Sequence, residues 1–526
     1  MGSLFLRNAR VWTGNAISDA DAALIIDGRF AFVGRETDVT APSSVETIDA
    51  LGRRMVPGFT DGHAHLLGTG AAMRSVDLKQ TQSVEEAARR VAERIAATPD
   101  GGWVRGAGWD QNEWPGASFP HRRDLDAVAP DRPVALNHTS GHCLWVNSAA
   151  LRAAGVTAAT EAPVGGSIDR DDRGEPTGVL RDAAARLITD VAPNPTQTER
   201  IAAMRDAIAH AHSLGVTGVH AMDVGRGELQ AMHALHDAGE LRLRIRAFLS
   251  ATRLDEWFER NITTGDGDDM LRIGGVKFFA DGALGSLTAW LFEPYAGSDS
   301  AGFPLQPVEQ LERDVRRCLA GGLATAVHAI GDRANREVLD IYERARGPSP
   351  QLPRRIEHAQ LLAPADIDRF AALHVTASIQ PIHATQDMAK VDRSWGDRDR
   401  GAYVMASLLR AGANLAFGSD TPVETMDPIA GVHAAATRRN AAGEPAGGWY
   451  PDQRISAEAA LRAYTSGCAG AVGEAATLGR IAPGYHADAV LLSSDILAEG
   501  DPMRILDCRA DVTIVDGDVV HRREAP

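Results

Sequence analysis

The chain has 526 residues, 44% of them hydrophobic and 24% charged, and carries a formal net charge of −16. This length exceeds the size at which a single core stops growing, so one large domain plus a small one is expected, with the composition of a water-soluble globular protein. The negative charge speaks against nucleic acid or anionic membrane as partner, since both need basic patches, and four cysteines with no C-x-x-C pair speak against a disulfide framework or a thiolate zinc knot.

The N-terminus, Met1-Gly2-Ser3-Leu4-Phe5-Leu6-Arg7, lacks the apolar core of a signal peptide. No apolar run approaches the ~20 residues of a membrane span. A cytoplasmic protein is expected. Residues 3–56 read as short strands separated by turns, and Asp27-Gly28 between two apolar runs signals a hairpin. The far end reads alike: Ala487-Asp488-Ala489-Val490-Leu491-Leu492, then 512–520 with Asp516-Gly517 as its turn. Residues 1–56 and 480–526 are therefore expected to form one small β-sandwich domain, with two independent edge hairpins as the alternative.

Between them, 57–479 alternates strand-like and helix-like segments. The opening strand runs into Val56-Pro57-Gly58-Phe59-Thr60-Asp61-Gly62-His63-Ala64-His65. A long stretch separates it from the next strand, so 70–212 is expected to be an inserted α+β subdomain, with a helix at 84–97 and a loop at 157–178. Strand candidates then recur at 216–222, 243–249, 273–281, 324–330, 355–359, 375–380 and 414–419. Helices are expected at 311–320, 333–345 and 364–373. With the opening strand this makes the alternation of a closed (β/α)8 TIM-like barrel.

Polar residues recur where these strands end. Alternation puts His63 and His65 on one side of their strand. Lys277 lies in Gly274-Gly275-Val276-Lys277, and His328, His358 and Asp420 close their strands. In a barrel those ends converge on one mouth. Histidines and carboxylates are donors suited to zinc and similar divalent ions. A free ammonium would be repelled there, so Lys277 fits only if displaced, deprotonated or converted by CO2 to a bridging carbamate. Two metals ~3.5–4 Å apart can share one hydroxide, and Asp420 could take its proton. Structural readings compete: His358 as a core histidine, Lys277 as a surface cation, His328 and Asp420 as strand caps.

The order His-x-His, Lys, His, His, Asp resembles the metal-dependent amidohydrolase superfamily. Residues 57–65, 108–114, 140–147, 178–181, 277–289, 328–334, 357–359 and 418–428 resemble its amidohydrolase-3 branch, which includes YtcJ-like proteins and N-substituted formamide deformylase. The resemblance spans nearly the whole chain and is not specific for a substrate. It implies that His63, His65 and Asp420 hold a buried metal and that His328 and His358 hold a second. Carboxylated Lys277 would bridge two Zn2+, though superfamily relatives use one or two ions. It also implies hydrolysis of a non-peptide C–N bond (amide, N-formyl or cyclic amide) of a small molecule by metal-bound hydroxide, with Asp420 as base and acid. Deaminase or esterase chemistry on the same site is the alternative, and Lys277 disfavours the deaminase. A non-catalytic scaffold is disfavoured by the complete ligand set.

Further candidates for substrate contact are Trp109, Asn112, Trp114, His142 and Asn147 in the inserted segment, His220 ending the second strand, and His383 after the seventh. Ordinary packing competes for each tryptophan. Asp281 and Ser286 are expected to shape the fourth strand's loop and orient Lys277. A homodimer, the commonest soluble assembly, is the expected oligomer.

Overall fold

Eight segments in which nearly every residue is buried set the architecture. They are β1 (Phe59–Ala64), β2 (Val216–Val224), β3 (Arg244–Ser250), β4 (Leu271–Phe279), β5 (Thr325–Ala329), β6 (Arg354–His358), β7 (Val375–Ile379) and β8 (Leu415–Phe417). Strands buried on both faces belong to parallel sheets covered by helices, and each of these pairs in parallel with its neighbours in chain order. The ring is completed after β8, where Asp420 N donates to His63 O at 2.7 Å and His65 N to Thr421 O at 2.9 Å. The result is a TIM-like barrel. Helices Val308–Ala320, Asp332–Arg344 and Ile367–Ala372 follow the expected segments within a few residues.

This computed structural model describes residues 2–14, 18–98, 102–139, 142–345 and 352–524. Met1, Ser140 and Gly141, used in the sequence reading, lie outside them. The chain divides into two compact units, Met1–Leu66 with Arg205–Pro526, and Leu67–Met204.

In the first unit both chain ends contribute to one five-stranded sheet, in which Leu491 of Ala489–Leu492 pairs antiparallel with Met55 of Arg54–Pro57. A four-stranded sheet from the N-terminal residues lies beside it in the same core, which joins Leu6, Ile25 and Phe30 to Met55, Leu491 and Ile514. The expected hairpins are present: Asp27-Gly28 and Asp516-Gly517 each take consecutive positive φ angles (49° and 77°; 51° and 79°), the mirror-image turn that matches strand twist.

The second unit is a six-stranded sheet with helix Val84–Ala97. It corrects one expectation. The stretch 157–178, read as loop, contains strand Gly166–Arg170 and the start of Pro176–Asp182, paired antiparallel. Asp171, Asp172 and Gly174 form the connecting turn, Pro163 and Gly165 precede the first strand, and Ile168 enters the core together with Leu180 of the second. Among the described residues no helix is long and apolar enough to cross a membrane.

Candidate metal centre

At the C-terminal ends of the barrel strands lies a cavity of about 350 Å³ lined by His63, His65, Lys277, His328, His358, His383 and Asp420, among others. Each residue arrives from a different place. His63 belongs to β1 and His65 follows it; Lys277, His328 and His358 lie on β4, β5 and β6; His383 lies on helix Pro381–Gln386 after β7; Asp420 follows β8. His63 Nε2 and His65 Nε2 each approach Asp420 Oδ1 to 3.4 Å, and His383 Nε2 is 3.9 Å from Oδ2. The donor atoms of His63, His65 and Asp420 lie within 4.8 Å of one another, as do those of His358, His383 and Asp420. His328 stacks edge-on against His358, ring centres 4.5 Å apart.

Hydrogen bonds fix which ring nitrogen each histidine offers. His63 Nδ1 donates to Glu357 Oε2 at 2.6 Å, His358 Nδ1 to Gln380 Oε1 at 2.8 Å, and His328 Nε2 to the Gly282 carbonyl at 2.9 Å. The acceptors carry no proton to give, so the bonded nitrogen of each ring carries one, and the opposite nitrogen is the one the ring can offer to a metal. Burial and the nearby Lys277 ammonium push His328 down to about 3, and burial holds His358 well below the usual imidazole range. For Asp420, burial works upward but the facing His63 and His65 imidazoles outweigh it, leaving the carboxyl well below its ordinary value. Burial lowers Lys277 to about 8.

The backbone here is strained. His358, Ala359 and Asp420 take φ of 74°, 43° and 61°, a region that non-glycine residues enter at a cost of about 1–3 kcal/mol each. At His358 the bend also breaks strand alternation. Glu357 reaches His63 while its neighbour His358 lines the cavity, which a regular strand would forbid.

The donor set fits a divalent metal. Lys277 Nζ and His383 Nε2 are buried without a hydrogen-bond partner among the described residues, a costly state for a polar group. The 3.4 Å gaps from His63 and His65 to Asp420 are long for charge-assisted hydrogen bonds at about 2.7–2.9 Å. They match the separation of about 3.3 Å between ligands of a tetrahedral ion with bonds of about 2.0–2.1 Å.

Sequence reasoning missed the groups behind the candidate ligands. Asp61 accepts from Ser419 Oγ at 2.5 Å, Ser419 N at 3.0 Å and His63 N at 3.1 Å, lacing β1 to the end of β8. Glu357, Arg355 and Gln380 were also missed. The one available signal was a run of charged residues inside a strand that is buried throughout. Asp281 accepts from the backbone amides of Ile330, Gly331 and Trp290, and so ties the β4 and β5 loops. Ser286 bonds Ala283 O and Thr288 Oγ1 within its own loop.

Four expected substrate contacts are corrected. Trp109 and Trp114 are core residues of the second unit, their indole N–H groups taken by Leu136 O at 2.9 Å and Thr81 O at 3.0 Å. Asn147 is wholly buried: its Oδ1 caps helix Ser148–Ala153 and its Nδ2 donates to Ala129 O and Arg132 O. His220 sits mid-strand in β2, buried, with Nδ1 accepting from Arg355 Nη1 at 2.8 Å. All four are buried in protein packing, and the polar atoms named are already bonded. Asn112 is exposed and bonds Asp110, and exposed His142 lies 2.9 Å from Asp182.

A model of the amidohydrolase family matches residues 46–521. The chain belongs to this family. It is 34% identical to YtcJ of Bacillus subtilis, over 91% of each chain. It is 30% identical to the N-substituted formamide deformylase of Arthrobacter pascens, over 94% of each. Among solved structures it resembles an uncharacterized metal-dependent hydrolase from Pyrococcus furiosus, 31% identical with a TM-score of 0.81, covering 94% of this chain and 100% of that one. An amidohydrolase with this donor set is a metal-dependent hydrolase.

Proposed function

We propose that this amidohydrolase cleaves a non-peptide C–N bond of a small molecule, in an amide, N-formyl or cyclic amide, with Asp420 as proton carrier. The observation that carries the reading is the convergence of histidine donors on Asp420, His63 and His65 on one side and His358 and His383 on the other. The similarity to a formamide deformylase supports the choice of bond. His63, His65 and Asp420 would hold one ion, and His328 and His358 a second. His383, whose donor atom groups with those of His358 and Asp420, is a further candidate for the second. A divalent ion bound there supplies Lewis-acid polarisation of a carbonyl and lowers the pKa of water.

Lys277, once carboxylated, would be an anionic donor to zinc held at this site. Its burial favours the neutral amine, the form that takes up CO2, and leaves Nζ without another partner. Asp420, held anionic, takes a proton from the attacking water and returns it to the departing nitrogen. On the same reading 1–56 with 480–526 is a small β-sandwich domain, 57–479 the hydrolase barrel, and 70–212 its inserted subdomain.

The test is Asp420→Asn in protein purified without chelators. It should fold as the wild type does and lose at least 10³-fold in turnover on the best of a panel of N-formyl amines, N-acyl amines, esters and amino-heterocycles. Retained turnover in that variant overturns the role of Asp420. A wild type that prefers the esters or heterocycles overturns the choice of bond.

A further inference from the structure

Glu357 and Arg355 lie on β6 inside the barrel, both with no exposed side-chain surface. A buried carboxylate persists only when paired and hydrogen-bonded, and here both oxygens are used. Oε1 accepts from Arg355 Nε at 2.6 Å; Oε2 accepts from Arg355 Nη2 at 3.1 Å and from His63 Nδ1 at 2.6 Å. Arg355 is itself tied to three other strands. Nη2 donates to Gly62 O on β1 at 2.6 Å and to Ser378 Oγ on β7 at 2.9 Å, and Nη1 donates to His220 Nδ1 on β2 at 2.8 Å. The guanidinium cannot turn without breaking several of these bonds, and the carboxylate cannot turn without losing the guanidinium.

We propose that Glu357 is a positioning residue that holds His63 in its Nδ1–H tautomer, leaving the Nε2 lone pair for a metal, and that Arg355 is the clamp that fixes Glu357. This rests on the reading of His63 as a metal ligand. A carboxylate oxygen can only accept, so a ring nitrogen 2.6 Å from it must carry the proton. His63 Nε2 then faces Asp420. The arrangement also gives buried His220 its place, as the acceptor that pins one arm of Arg355.

The clamp makes the substitution informative. In Glu357→Gln, Arg355 still donates from two nitrogens, so the carboxamide oxygen turns to the guanidinium and the amide N–H group turns to His63. The ring then becomes the acceptor at Nδ1, and its proton moves to Nε2. Two measurements read this. In metal-free protein labelled with 15N-histidine, at a pH high enough to leave the ring neutral although, against burial, the Asp420 and Glu357 carboxylates raise it, the resonance pair lost in His63→Gln should report Nδ1–H in the wild type and Nε2–H in Glu357→Gln. Zinc affinity, by competition with a chromophoric chelator, should fall at least 10-fold, in the 10–100-fold range typical of such supporting partners. Ser378→Ala, which removes one bond to Arg355 but leaves the guanidinium held by Gly62, His220 and Glu357, should keep wild-type affinity.

Should Glu357→Gln not fold, Glu357→Asp decides. It keeps the buried charge balanced but is too short to span both partners, and should weaken zinc at least fivefold. A folded Glu357 variant that loses less than fivefold in zinc affinity, or keeps Nδ1–H on His63, overturns the proposal. A wild type that binds no zinc overturns the metal reading instead, and the tautomer of the metal-free protein still decides the role of Glu357.

Discussion

A methyl group on Gly418 has no room. A Cβ there would lie 2.3 Å from the His63 amide nitrogen and 2.9 Å from Asp61 Oδ1, so glycine alone allows β8 to press against the strand that carries His63. Gly418→Ala should therefore cost about 1–3 kcal/mol, the usual range for overpacking, read as a shift of the denaturant midpoint. It should also lower metal content, because the displaced atoms are those that set His63 against Asp420. A variant of wild-type stability and metal content would mean that the barrel seam yields. At this scale the candidate ligands were legible because most are polar residues at or near the ends of predicted strands. Glu357 and Arg355 were not, because a charge inside a strand looks like an interruption until its partner is known. For Glu357 that partner is His63, 294 positions away. The tryptophans misled in the opposite sense: Trp109 and Trp114 sit among glycines and polar residues in sequence, yet bury completely or nearly so in their own core.

At the scale of elements, the loops after β4 and β5 carry Gly282, whose carbonyl holds His328, and they are joined through Asp281. Its carboxylate, fully buried, receives three backbone amides, and burial pushes it up to about 7 despite them. Asp281→Asn keeps the shape but replaces one acceptor oxygen by a donor, leaving one or two amides unpaired at about 1–3 kcal/mol each. The expected outcome is local: faster hydrogen exchange at Ile330, Gly331 and Trp290, with the amides of β2 and β3 unchanged. Uniformly faster exchange would show instead that the junction supports the whole barrel. The barrel strands were readable because most are largely apolar runs in regular alternation with helical segments. The strands of the second unit were not. Gly106 and Gly108 interrupt Val104–Trp109, and the strand pair Gly166–Arg170 and Pro176–Asp182 has exposed polar residues on one face. Their pairing rather than their composition makes them strands.

For the whole molecule, the response to acid is a sum of opposed groups, and one of them can be isolated. His212 is 6% exposed, and its Nε2 donates to Arg242 O at 3.0 Å; burial lowers it to about 4. His433, on helix Pro428–Thr437, is likewise lowered to about 4 by burial. The folded chain refuses these protons while the unfolded chain binds them below pH 6.5, so their contribution is complete above that value and is lost as pH falls from 6.5 to 4. Asp61 and Asp281, pushed up by burial to about 6 and about 7, slope the other way: the folded chain retains their protons, and their stabilisation fades as pH rises from about 4 to 7. The raw pH profile therefore mixes both signs. The difference between wild type and His212→Gln, whose amide can still donate to Arg242 O, removes the common terms. Measured by denaturant unfolding, the variant should gain on the wild type by on the order of 3 kcal/mol between pH 6.5 and 4. The gain should level off below pH 4, where folded His212 itself takes up the proton. A difference that stays flat with pH would mean that water reaches His212 and that its ring titrates in the folded chain as freely as in the unfolded one.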